Sequence, residues 1–381
     1  MLKKIIRPGE PGYRQCTVTI MDTTDPDITF DDAGVSNWVH YFRENVLTRW
    51  KPEGDQAALN ALMRRIKADG KGKEYDCALG LSGGVDSSYL AYIAKREGLR
   101  PLVVHTDVGW NSDIAVRNIE KIVKSCGYEL FTLVIDWDVM ADLQRAFLWA
   151  GVPNQDIPQD QVIFAAFYGF AAKHNIKWVL SGHNHACESI LPAAWGHNPF
   201  DIRHIKTIHQ RFGNRRLKNY PLMSLAKYGL LYTLIRGMRV VKPLNLVPYN
   251  KAEAMQILER EFGWQYYGGK HFESRWTRFF QGWLLPTRFG YDKRLAHLSS
   301  LIMSGQMTRD AALQEMKTDS YPVSMIEEDK GLVLKKLGMP VSEWDKIMAA
   351  PIHSHDEYPT SAWITKILTI GNNTLKRFGL L

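Results

Sequence analysis

The seven-residue segment Ser82-Gly-Gly-Val-Asp-Ser-Ser88 constrains this chain more than any other feature. It follows a short apolar run, residues 75–81, and overlaps the start of a helical pattern over residues 85–97. Gly83 and Gly84 allow the backbone to come close to an anion, and the serines add hydroxyl donors. The order strand, glycine-rich loop and helix therefore predicts a phosphate-binding loop at a helix N-terminus.

Asp86 lies inside this loop and would repel a phosphate directly, so its expected role is to hold Mg²⁺ against the phosphates. The loop has neither a GxxxxGK[ST] nor a GxGxxG pattern, which argues against a kinase-like or Rossmann dinucleotide loop. A plain strand-to-helix turn capped by serine is the simpler alternative, and the complete pattern favours phosphate binding over it. The predicted cofactor-binding residues of this segment are Leu81, Ser82, Gly83, Gly84, Asp86, Ser87 and Ser88, with Asp86 as the magnesium ligand.

Short apolar runs alternate with helical patterns after this loop. Further strands are predicted at residues 102–106, 130–136 and 178–181, with another near 241–247. Apolar strands that are each followed by a helix indicate a parallel sheet covered on both faces. The sequence therefore predicts an α/β fold with a doubly wound parallel sheet. The expected domains are an N-terminal appendage over 1–74, the sheet domain over 75–250 and a mainly helical region over 251–381.

Composition narrows the functional class. The 381 residues are 45% apolar and 23% charged, which excludes a wholly disordered, collagen-like or coiled-coil chain. The formal net charge of +8 suits a protein that handles phosphates without requiring a nucleic acid. Four scattered cysteines without a CxxC pair, no signal-peptide pattern and no membrane-span pattern predict a cytoplasmic protein.

The segment SGGVDSS resembles the PP-loop of the ATP pyrophosphatase superfamily. The resemblance implies that ATP is split between its α and β phosphates, that AMP is transferred to a carbonyl oxygen, and that a nucleophile then displaces AMP. It also implies that His105 and Asp107, after the second strand, contact the nucleoside. Gly182 and His183, after the fourth strand, would close over the nucleotide.

Longer stretches resemble the bacterial N-acetyl sugar amidotransferases of surface-polysaccharide assembly, including O-antigen synthesis. They are MDTTDPDITFDDAGVSNW from residue 21, GWNSD from 109, GKHFESRWTRF from 269 and DKRLAHLSSLIMSGQMTR from 292. The resemblance implies conversion of an acetamido group on a nucleotide-activated sugar into an acetamidino group, with AMP and pyrophosphate released. It also implies ATP and Mg²⁺ as cofactors, and ammonia from a separate glutaminase and cyclase-like pair.

The N-terminal segment departs from that family's pattern. Many relatives carry two CxxC pairs, which suggests a zinc knuckle, whereas this chain has Cys16-Thr-Val-Thr19 and Ser36-Asn-Trp-Val39. Three of the four expected thiolates are missing, and structural zinc normally needs four good ligands. We therefore expect no zinc, with hydrogen bonds and apolar packing holding the segment.

The candidate catalytic residues are Asp86, Ser82 and Glu188, although a solvent-facing role for Glu188 is equally compatible with its position. The basic run 203–218 could grip a diphosphate, form a solvated face or dock a partner. From spacing alone, residues 270–279 would be a buried helix with a charged outer face. The resemblance implies substrate contacts there, and the predicted substrate-binding residues are Asn184, Glu188, Arg215, Lys270, His271, Glu273 and Arg275.

Two other functional classes remain open. A PP-loop enzyme that thiolates tRNA normally needs paired reactive cysteines, and only isolated ones occur here. A non-catalytic scaffold for the glutaminase complex would have no need to keep the whole SGGVDSS pattern. No RNA-recognition motif is present, so we expect no nucleic-acid partner.

Overall fold

The computed structural model describes residues 3–218, 220–318 and 321–361. The end of the predicted helical region, residues 362–381, lies outside the described residues. Within the described ranges, the strands of the central sheet are Cys77–Gly80 (β1), Pro101–Asp107 (β2), Leu130–Val134 (β3), Trp178–Leu180 (β4) and Arg239–Val241 (β5).

The strands form one sheet in the order β3-β2-β1-β4-β5, and every neighbouring pair is parallel. Leu79 of β1 is aligned with Val103 of β2 on one side and with Leu180 of β4 on the other. The chain first builds outward from β1 through β2 to β3, and then crosses back to add β4 and β5. Ligands of such sheets bind outside the carboxyl ends of the strands at this reversal, which lies between β1 and β4.

Helices cover the sheet and make up most of the remaining chain. In the described residues they are α1 Asn37–Tyr41, α2 Gln56–Asp69, α3 Val85–Arg96, α4 Asp113–Cys126, α5 Trp137–Ala150, α6 Ile157–Lys173, α7 His185–Glu188, α8 Ile202–Phe212, α9 Lys251–Phe262, α10 Arg275–Phe279, α11 Lys293–Met303, α12 Arg309–Met316, α13 Val323–Lys336 and α14 Val341–Ala349. Wider π-helical turns continue α1 over Phe42–Val46 and α10 over Phe280–Phe289, and another covers Lys227–Ile235.

Local sequence explains where many helices begin and end. The Ser112 side chain accepts a hydrogen bond from the Ala115 amide at the start of α4, which satisfies one of the unpaired donors there. Helix α4 ends at Gly127, whose φ of 67° is accessible to glycine at little cost. Asp136 caps the start of α5 in the same way, and Gly151 ends that helix. Local sequence signals therefore set the first and last residues of both helices.

The fifth strand differs from the sequence-based expectation of a strand near residues 241–247. The structure has β5 at Arg239–Val241, and a short 3₁₀ helix, Pro243–Leu246, follows it. Pro243 ends the strand because its ring fixes φ and removes the amide donor that the ladder would need. The remaining predicted strands agree with the observed ones to within two residues at their starts and ends.

The sheet separates two apolar clusters. Leu79 and Val103 face one cluster, with α3, α4 and α9, while Leu102 and Val104 face the other, with α6. A third and larger cluster joins Ile20 of the N-terminal segment to α5 and the C-terminal helices. Within the parts of the chain that the structure describes, no helix has the length and apolar character needed to cross a membrane.

Four residues of this chain stand where many relatives have the cysteines of the two CxxC pairs. All four are fully buried, and they are Cys16, Thr19, Ser36 and Val39. The amides of Thr19 and Ser36 donate to Cys16 Sγ at 3.4 and 3.3 Å. Burial favours the neutral thiol, but these hydrogen bonds outweigh it and lower the pKa of Cys16. The Arg309 guanidinium donates to the Cys16 and Thr19 carbonyls at 3.0 Å each. Hydrogen bonds thus hold the segment, while the absence of zinc stays a prediction.

Candidate active site

The loop after β1 has the backbone that a phosphate-binding turn needs. Gly83 has φ of +78°, and a Cβ atom there would lie only 2.5 Å from the Ala115 carbonyl oxygen. Gly84 begins α3 as its N-cap residue, in an extended conformation. Position 83 therefore requires glycine for both its φ and its lack of a side chain, and the N-terminus of α3 points its dipole toward the loop.

Serine hydroxyls fix the shape of this loop. Ser82 Oγ lies 3.0 Å from Ser87 Oγ and accepts a hydrogen bond from the Gly84 amide at 3.2 Å. Ser87 Oγ also accepts from the Ser82 amide at 3.2 Å. The Ser82 residue is exposed and can reach a ligand, whereas Ser88 is fully buried and serves the packing of α3.

A second segment, residues 264–275, lies across the loop, and we call it the cover segment. The Trp264 indole donates to the Gly83 carbonyl at 3.0 Å, and the Tyr267 hydroxyl accepts from the Val85 amide at 3.1 Å. At its far end the Ser112 amide donates to the Glu273 carbonyl at 2.8 Å. The cover segment is thus tied both to the phosphate loop and to the loop after β2.

Asp86 lies in the first turn of α3, where two polar side chains hold it. Asn184 Nδ2 donates to Asp86 Oδ1 at 3.0 Å, and the Tyr249 hydroxyl donates to the same oxygen at 2.5 Å. Burial and the nearby Glu188 carboxylate raise the pKa of Asp86, and the Lys270 ammonium opposes them. A carboxylate that resists ionisation in this way is stabilised when a cation binds next to it.

Glu188 contacts two basic side chains. Its carboxylate contacts His183 Nδ1 at 2.7 Å and Lys270 Nζ at 3.2 Å. Burial disfavours the charged carboxylate, but Lys270 and the hydrogen bond from His183 outweigh it and hold the pKa of Glu188 well below its usual range. The pKa of Lys270 is raised, because Glu188 and Asp86 overcome its burial. Lys270 is therefore a fixed positive charge beside the phosphate loop.

These groups fit a nucleotide held with a magnesium ion. The loop offers a helix N-terminus and hydroxyls to phosphate, and Lys270 offers a cation. Asp86 supplies the hard oxygen ligand that Mg²⁺ prefers, and one or two carboxylates with substrate phosphates normally hold this ion. In the described residues no group of three or more His, Cys, Asp or Glu side chains could hold a metal ion alone, so phosphate oxygens would complete the coordination.

The residues after β2 are fixed by one another. His105 Nδ1 lies 2.9 Å from the Leu81 carbonyl oxygen, and its Nε2 lies 2.9 Å from Asn111 Nδ2. Asp107 accepts hydrogen bonds from the Gly109 amide at 2.8 Å and from Asn111 at 3.1 Å. His105 lines the cavity described next. Asp107 does not line that cavity, because its carboxylate accepts hydrogen bonds from the loop that follows β2.

A cavity of about 860 Å³ opens at the carboxyl ends of β1, β2 and β4. The predicted site residues that line it are Leu81, Ser82, His105, Gly182, His271 and Glu273. The cavity then continues past the strands to α6, α10 and the start of α11, where Asp156, Gln159, Asp160 and Lys293 line it. A volume of this size suits a nucleotide together with a second small molecule.

His271 and Glu273 form a strained part of the cover segment. His271 has φ of +64°, which is unusual for a residue with a side chain. Its Nδ1 lies 3.6 Å from Glu273 Oε1, and Glu273 in turn packs against Gly84. Burial disfavours the Glu273 carboxylate, but His271 outweighs this and lowers the pKa of Glu273. Backbone strain of this kind is concentrated at functional sites.

Two predicted substrate contacts lie elsewhere. Arg275 donates to Asp329 at 2.7 Å and also pairs with Glu328, so α13 holds it. Arg215 pairs with Asp138 at 3.1 Å on the exposed surface near α5. The basic run 203–218 lies mainly on α8, its Arg and Lys residues are exposed, and in the described residues none of them lines the cavity.

Several residues that shape the site were not predicted from the sequence. Tyr249 and Tyr267 reach the phosphate loop from 163 and 182 residues away, and a lone tyrosine gives no pattern by which to find it. The acidic pair Asp156 and Asp160 is spaced by four residues at the start of a helix, which is a detectable signal. Their position facing the cavity depends on how α6 packs, and the spacing alone does not give it.

Comparisons with known proteins agree with this arrangement. A family profile described as asparagine synthase matches residues 63–184, which contain the phosphate loop and strands β1 to β4. A second profile, described as the C-terminal domain of WbpG-like LPS biosynthesis proteins, matches residues 273–369. The second match begins in the cover segment, and its last residues, 362–369, lie outside the described part of the chain.

More distant similarities extend to individual proteins. A tRNA(Ile)-lysidine synthase from Chlamydia felis is 27% identical over 115 residues, which is 30% of this chain and 34% of that protein. The chain thus spans about a third of the length of this curated relative.

Two solved structures are also similar. The NH3-dependent NAD synthetase of Campylobacter jejuni is 15% identical with a TM-score of 0.31, over 75% of this chain and 97% of that one. The NMN synthetase of Francisella tularensis is 14% identical with a TM-score of 0.29, over 56% and 94%.

The two family matches fall on the two parts of the chain that build the site. One covers the loop after β1 and the strands that carry it, and the other covers the end of the cover segment and the helices behind it. The sheet order and the SGGVDSS loop described above agree with the first match. Residues 63–184 thus carry a PP-loop domain similar to that of asparagine synthases, and residues 273–369 are similar to the C-terminal domain of WbpG-like LPS biosynthesis proteins.

Proposed function

We propose that this protein is an ATP-dependent, AMP-forming amidotransferase of lipopolysaccharide biosynthesis. Its substrate is a nucleotide-activated N-acetyl sugar, whose acetamido group it converts into an acetamidino group with ammonia. The observation that supports this best is the continuous cavity of about 860 Å³, which joins the PP-loop to a buried polar region. Such a cavity can bring an α-phosphate and an amide oxygen together, which the reaction requires.

The chemistry has two steps. The amide oxygen attacks the α-phosphorus of ATP, the bond to the bridging oxygen breaks, and pyrophosphate leaves while the amide nitrogen loses its proton. Ammonia then adds to the activated carbon, and the carbon–oxygen bond breaks to release AMP. The oxygen of the original amide leaves in AMP, and the products are the amidine, AMP and pyrophosphate.

The residues of the site suit these demands. The PP-loop and the N-terminus of α3 bind the phosphates, and Lys270 balances the charge that grows on pyrophosphate as it leaves. Magnesium held at Asp86 would add further positive charge against the phosphates. The cover segment lies over the loop and limits the access of water, which would otherwise hydrolyse the activated amide.

Glu188 positions Lys270 and His183 rather than reacting itself. Its low pKa keeps it ionised, so it is a poor acceptor of protons at neutral pH. We place the source of ammonia in a separate glutaminase and cyclase-like pair, because the resemblance to the N-acetyl sugar amidotransferases implies such partners. A cytoplasmic location of the protein is part of the same proposal.

The test is a direct assay of the purified protein. It is incubated with ATP, Mg²⁺, an ammonium salt and a panel of nucleotide-linked acetamido sugars, and the products are analysed by mass spectrometry. We expect one sugar to exchange its acetamido oxygen for NH with stoichiometric AMP. AMP release without an amidine on any acetamido sugar, or release of ADP instead of AMP, would contradict the proposal.

A tRNA-modifying enzyme is the second candidate, favoured by the similarity to a tRNA(Ile)-lysidine synthase. Thiolation, the form of this chemistry that uses cysteines, has little support. Cys126 and Cys187 are unpaired, and burial raises their pKa to about 11 and about 12. A gel shift with bulk tRNA and analysis of nucleosides after incubation with ATP distinguish the two candidates. A modified nucleoside would replace the sugar proposal.

A further inference from the structure

The start of α6 lines a part of the cavity that carries a group of polar side chains. The proposed phosphate chemistry does not use these side chains. Asp156 and Asp160 come from the start of α6, Gln281 from the helical segment after α10, and Lys293 from the start of α11. We call this region the α6 pocket. None of these elements contains the PP-loop, so the α6 pocket is a separate part of the same cavity.

Hydrogen bonds hold Asp156 in a fixed position within the α6 pocket. Gln159 Nε2 and Gln281 Nε2 each donate to its carboxylate at 2.8 Å, and Asp156 is only 4% exposed. Gln159 Nε2 also lies 2.8 Å from Thr277 Oγ1, which ties α6 to α10. The pocket is therefore preorganised, which reduces the entropy lost when a ligand binds.

Gln159 and Trp195 also line the cavity, and each carries a buried polar atom that lacks a partner among the described residues. One is Gln159 Oε1, a hydrogen-bond acceptor on a side chain that is 5% exposed. The other is the indole N–H of Trp195, a donor on a residue that is fully buried. A buried polar atom without a partner costs free energy, and a ligand that bonds to it recovers that cost.

The charges of the α6 pocket exclude phosphate. The carboxylate of Asp156 would repel it, and Asp156 and Asp160 both attract the positive charge of Lys293. Burial and Asp156 raise the pKa of Asp160 to about 8, so this carboxyl is mostly protonated at neutral pH and can donate a hydrogen bond. A region with donors, acceptors and little net charge suits a neutral, hydroxylated molecule.

From this geometry we infer that the α6 pocket is the acceptor subsite, and that it binds the hydroxyl and acetamido groups of a sugar ring through Asp160, Gln159 and Trp195. The inference rests on the proposed function and assigns residues to its substrate. In this assignment the nucleotide phosphates bind at the PP-loop, and the sugar binds beside α6 in the same cavity. The reacting amide oxygen is thereby held between the two.

The variants Asp160→Ala and Trp195→Phe test the subsite, and the first removes the side-chain donor and acceptor of Asp160. The second removes only the unpartnered indole donor and keeps an aromatic ring. We expect each to raise the KM for the acceptor sugar about tenfold, as the loss of one buried hydrogen bond predicts, with the KM for ATP unchanged. The matched controls are Asp345→Ala, on the exposed side of α14, and Trp50→Phe, a buried indole outside the cavity. Both controls should leave every KM unchanged.

A binding measurement separates this inference from the proposed reaction. Saturation-transfer NMR measures the binding of the probe UDP-N-acetylglucosamine to the wild type and to both variants. ATP and ammonium are left out, so that no reaction takes place. Weaker binding of the probe to both variants supports the subsite even if no amidine is ever formed. No binding to the wild type, equal binding to all proteins, or a KM change limited to ammonium would overturn it, and the last would make the α6 pocket an ammonium site.

Discussion

Single residues of the PP-loop decide whether the proposed reaction can occur, and Asp86 is the most informative. Its carboxylate would hold Mg²⁺ under the proposed function, and it accepts hydrogen bonds from Asn184 and Tyr249. An asparagine would keep an oxygen that accepts both of these hydrogen bonds, but it would lose the negative charge. The Asp86→Asn change therefore separates electrostatic function from folding.

We predict that Asp86→Asn lowers kcat for AMP formation by about 10²–10³, the usual cost of one electrostatic contact in a transition state. Its Tm should equal or exceed that of the wild type, because burial already disfavours the Asp86 carboxylate. The control is Asp113→Asn, an exposed carboxylate in the first turn of the neighbouring helix α4. If AMP formation by Asp86→Asn matched that of the control, Asp86 would have no part in the mechanism.

Gly83→Ala provides a test of the loop backbone. The added Cβ would have to shift the Ala115 carbonyl, 2.5 Å away, and would sit at φ of +78°. Gly72 has nearly the same φ, +76°, but a Cβ there would meet no atom within 4 Å, so Gly72→Ala carries only the backbone cost of about 1–2 kcal/mol. We expect Gly83→Ala to lower Tm further than Gly72→Ala in thermal unfolding and to abolish AMP formation. Equal Tm values would show that the contact with Ala115 is not tight.

The sequence predicts single residues well only where a local pattern marks them. The glycines and serines of the loop stand in one continuous pattern, so their role could be predicted. Tyr249 and Tyr267 meet the loop only because α9 packs on α3, and no local pattern encodes that contact. Arg275 lies in the same segment as Lys270, but its guanidinium donates to Asp329 of α13 and does not line the cavity.

At the scale of elements, the C-terminal helices hold the cover segment in place through one buried carboxylate. Asp329 of α13 is fully buried and accepts hydrogen bonds from Arg275, Arg278 and Tyr321 at 2.7, 2.8 and 2.5 Å. Burial alone would raise its pKa, but these partners, Arg278 foremost, outweigh it and lower the pKa of Asp329. The ionised form therefore stabilises the packing of α10 on α13.

We predict that Asp329→Asn lowers the free energy of unfolding by about 3–5 kcal/mol at neutral pH, because two guanidinium groups lose their buried counter-charge. The stabilisation by Asp329 is present above its unfolded pKa, near 3.8, and is lost as pH falls through its lower folded pKa. The difference between variant and wild type should therefore shrink below pH 3.8 in denaturant unfolding.

The control for this prediction is Glu328→Gln. Glu328 precedes Asp329 and also pairs with Arg275, but its side chain is 66% exposed. An exposed pair contributes only about 0–1 kcal/mol, so this change should have little effect. If both variants lost the same stability, or if the loss with Asp329→Asn did not depend on pH, the buried carboxylate would not be what holds the two helices.

The strands and most helices could be predicted because each carries its own signals. Helix α4 has a serine cap, a period of apolar residues and a terminal glycine, and these signals coincide with its bounds at Asp113 and Cys126. Strand β5 could not be located as well, since three exposed or half-buried residues give a weak apolar run and Pro243 truncates it. The π-helical turns have no sequence signal of their own.

At the scale of the whole molecule, one cavity connects elements from three parts of the chain. The PP-loop contributes one end, α6 contributes the other, and the cover segment lies over the phosphate loop. The N-terminal segment packs behind the same C-terminal helices, where Ile20 and Met21 join the largest apolar cluster. This joint packing means that the position of the cover segment depends on the fold as a whole.

The central claim is that the oxygen of an acetamido group leaves the sugar as part of AMP. The most direct measurement uses the acceptor sugar with ¹⁸O in its acetamido carbonyl, together with ATP, Mg²⁺ and ammonium, and mass spectrometry of every product. The account predicts one ¹⁸O atom in AMP, none in pyrophosphate, and an amidine without the label. Label that stays in the sugar, or that appears in pyrophosphate or inorganic phosphate, would contradict it.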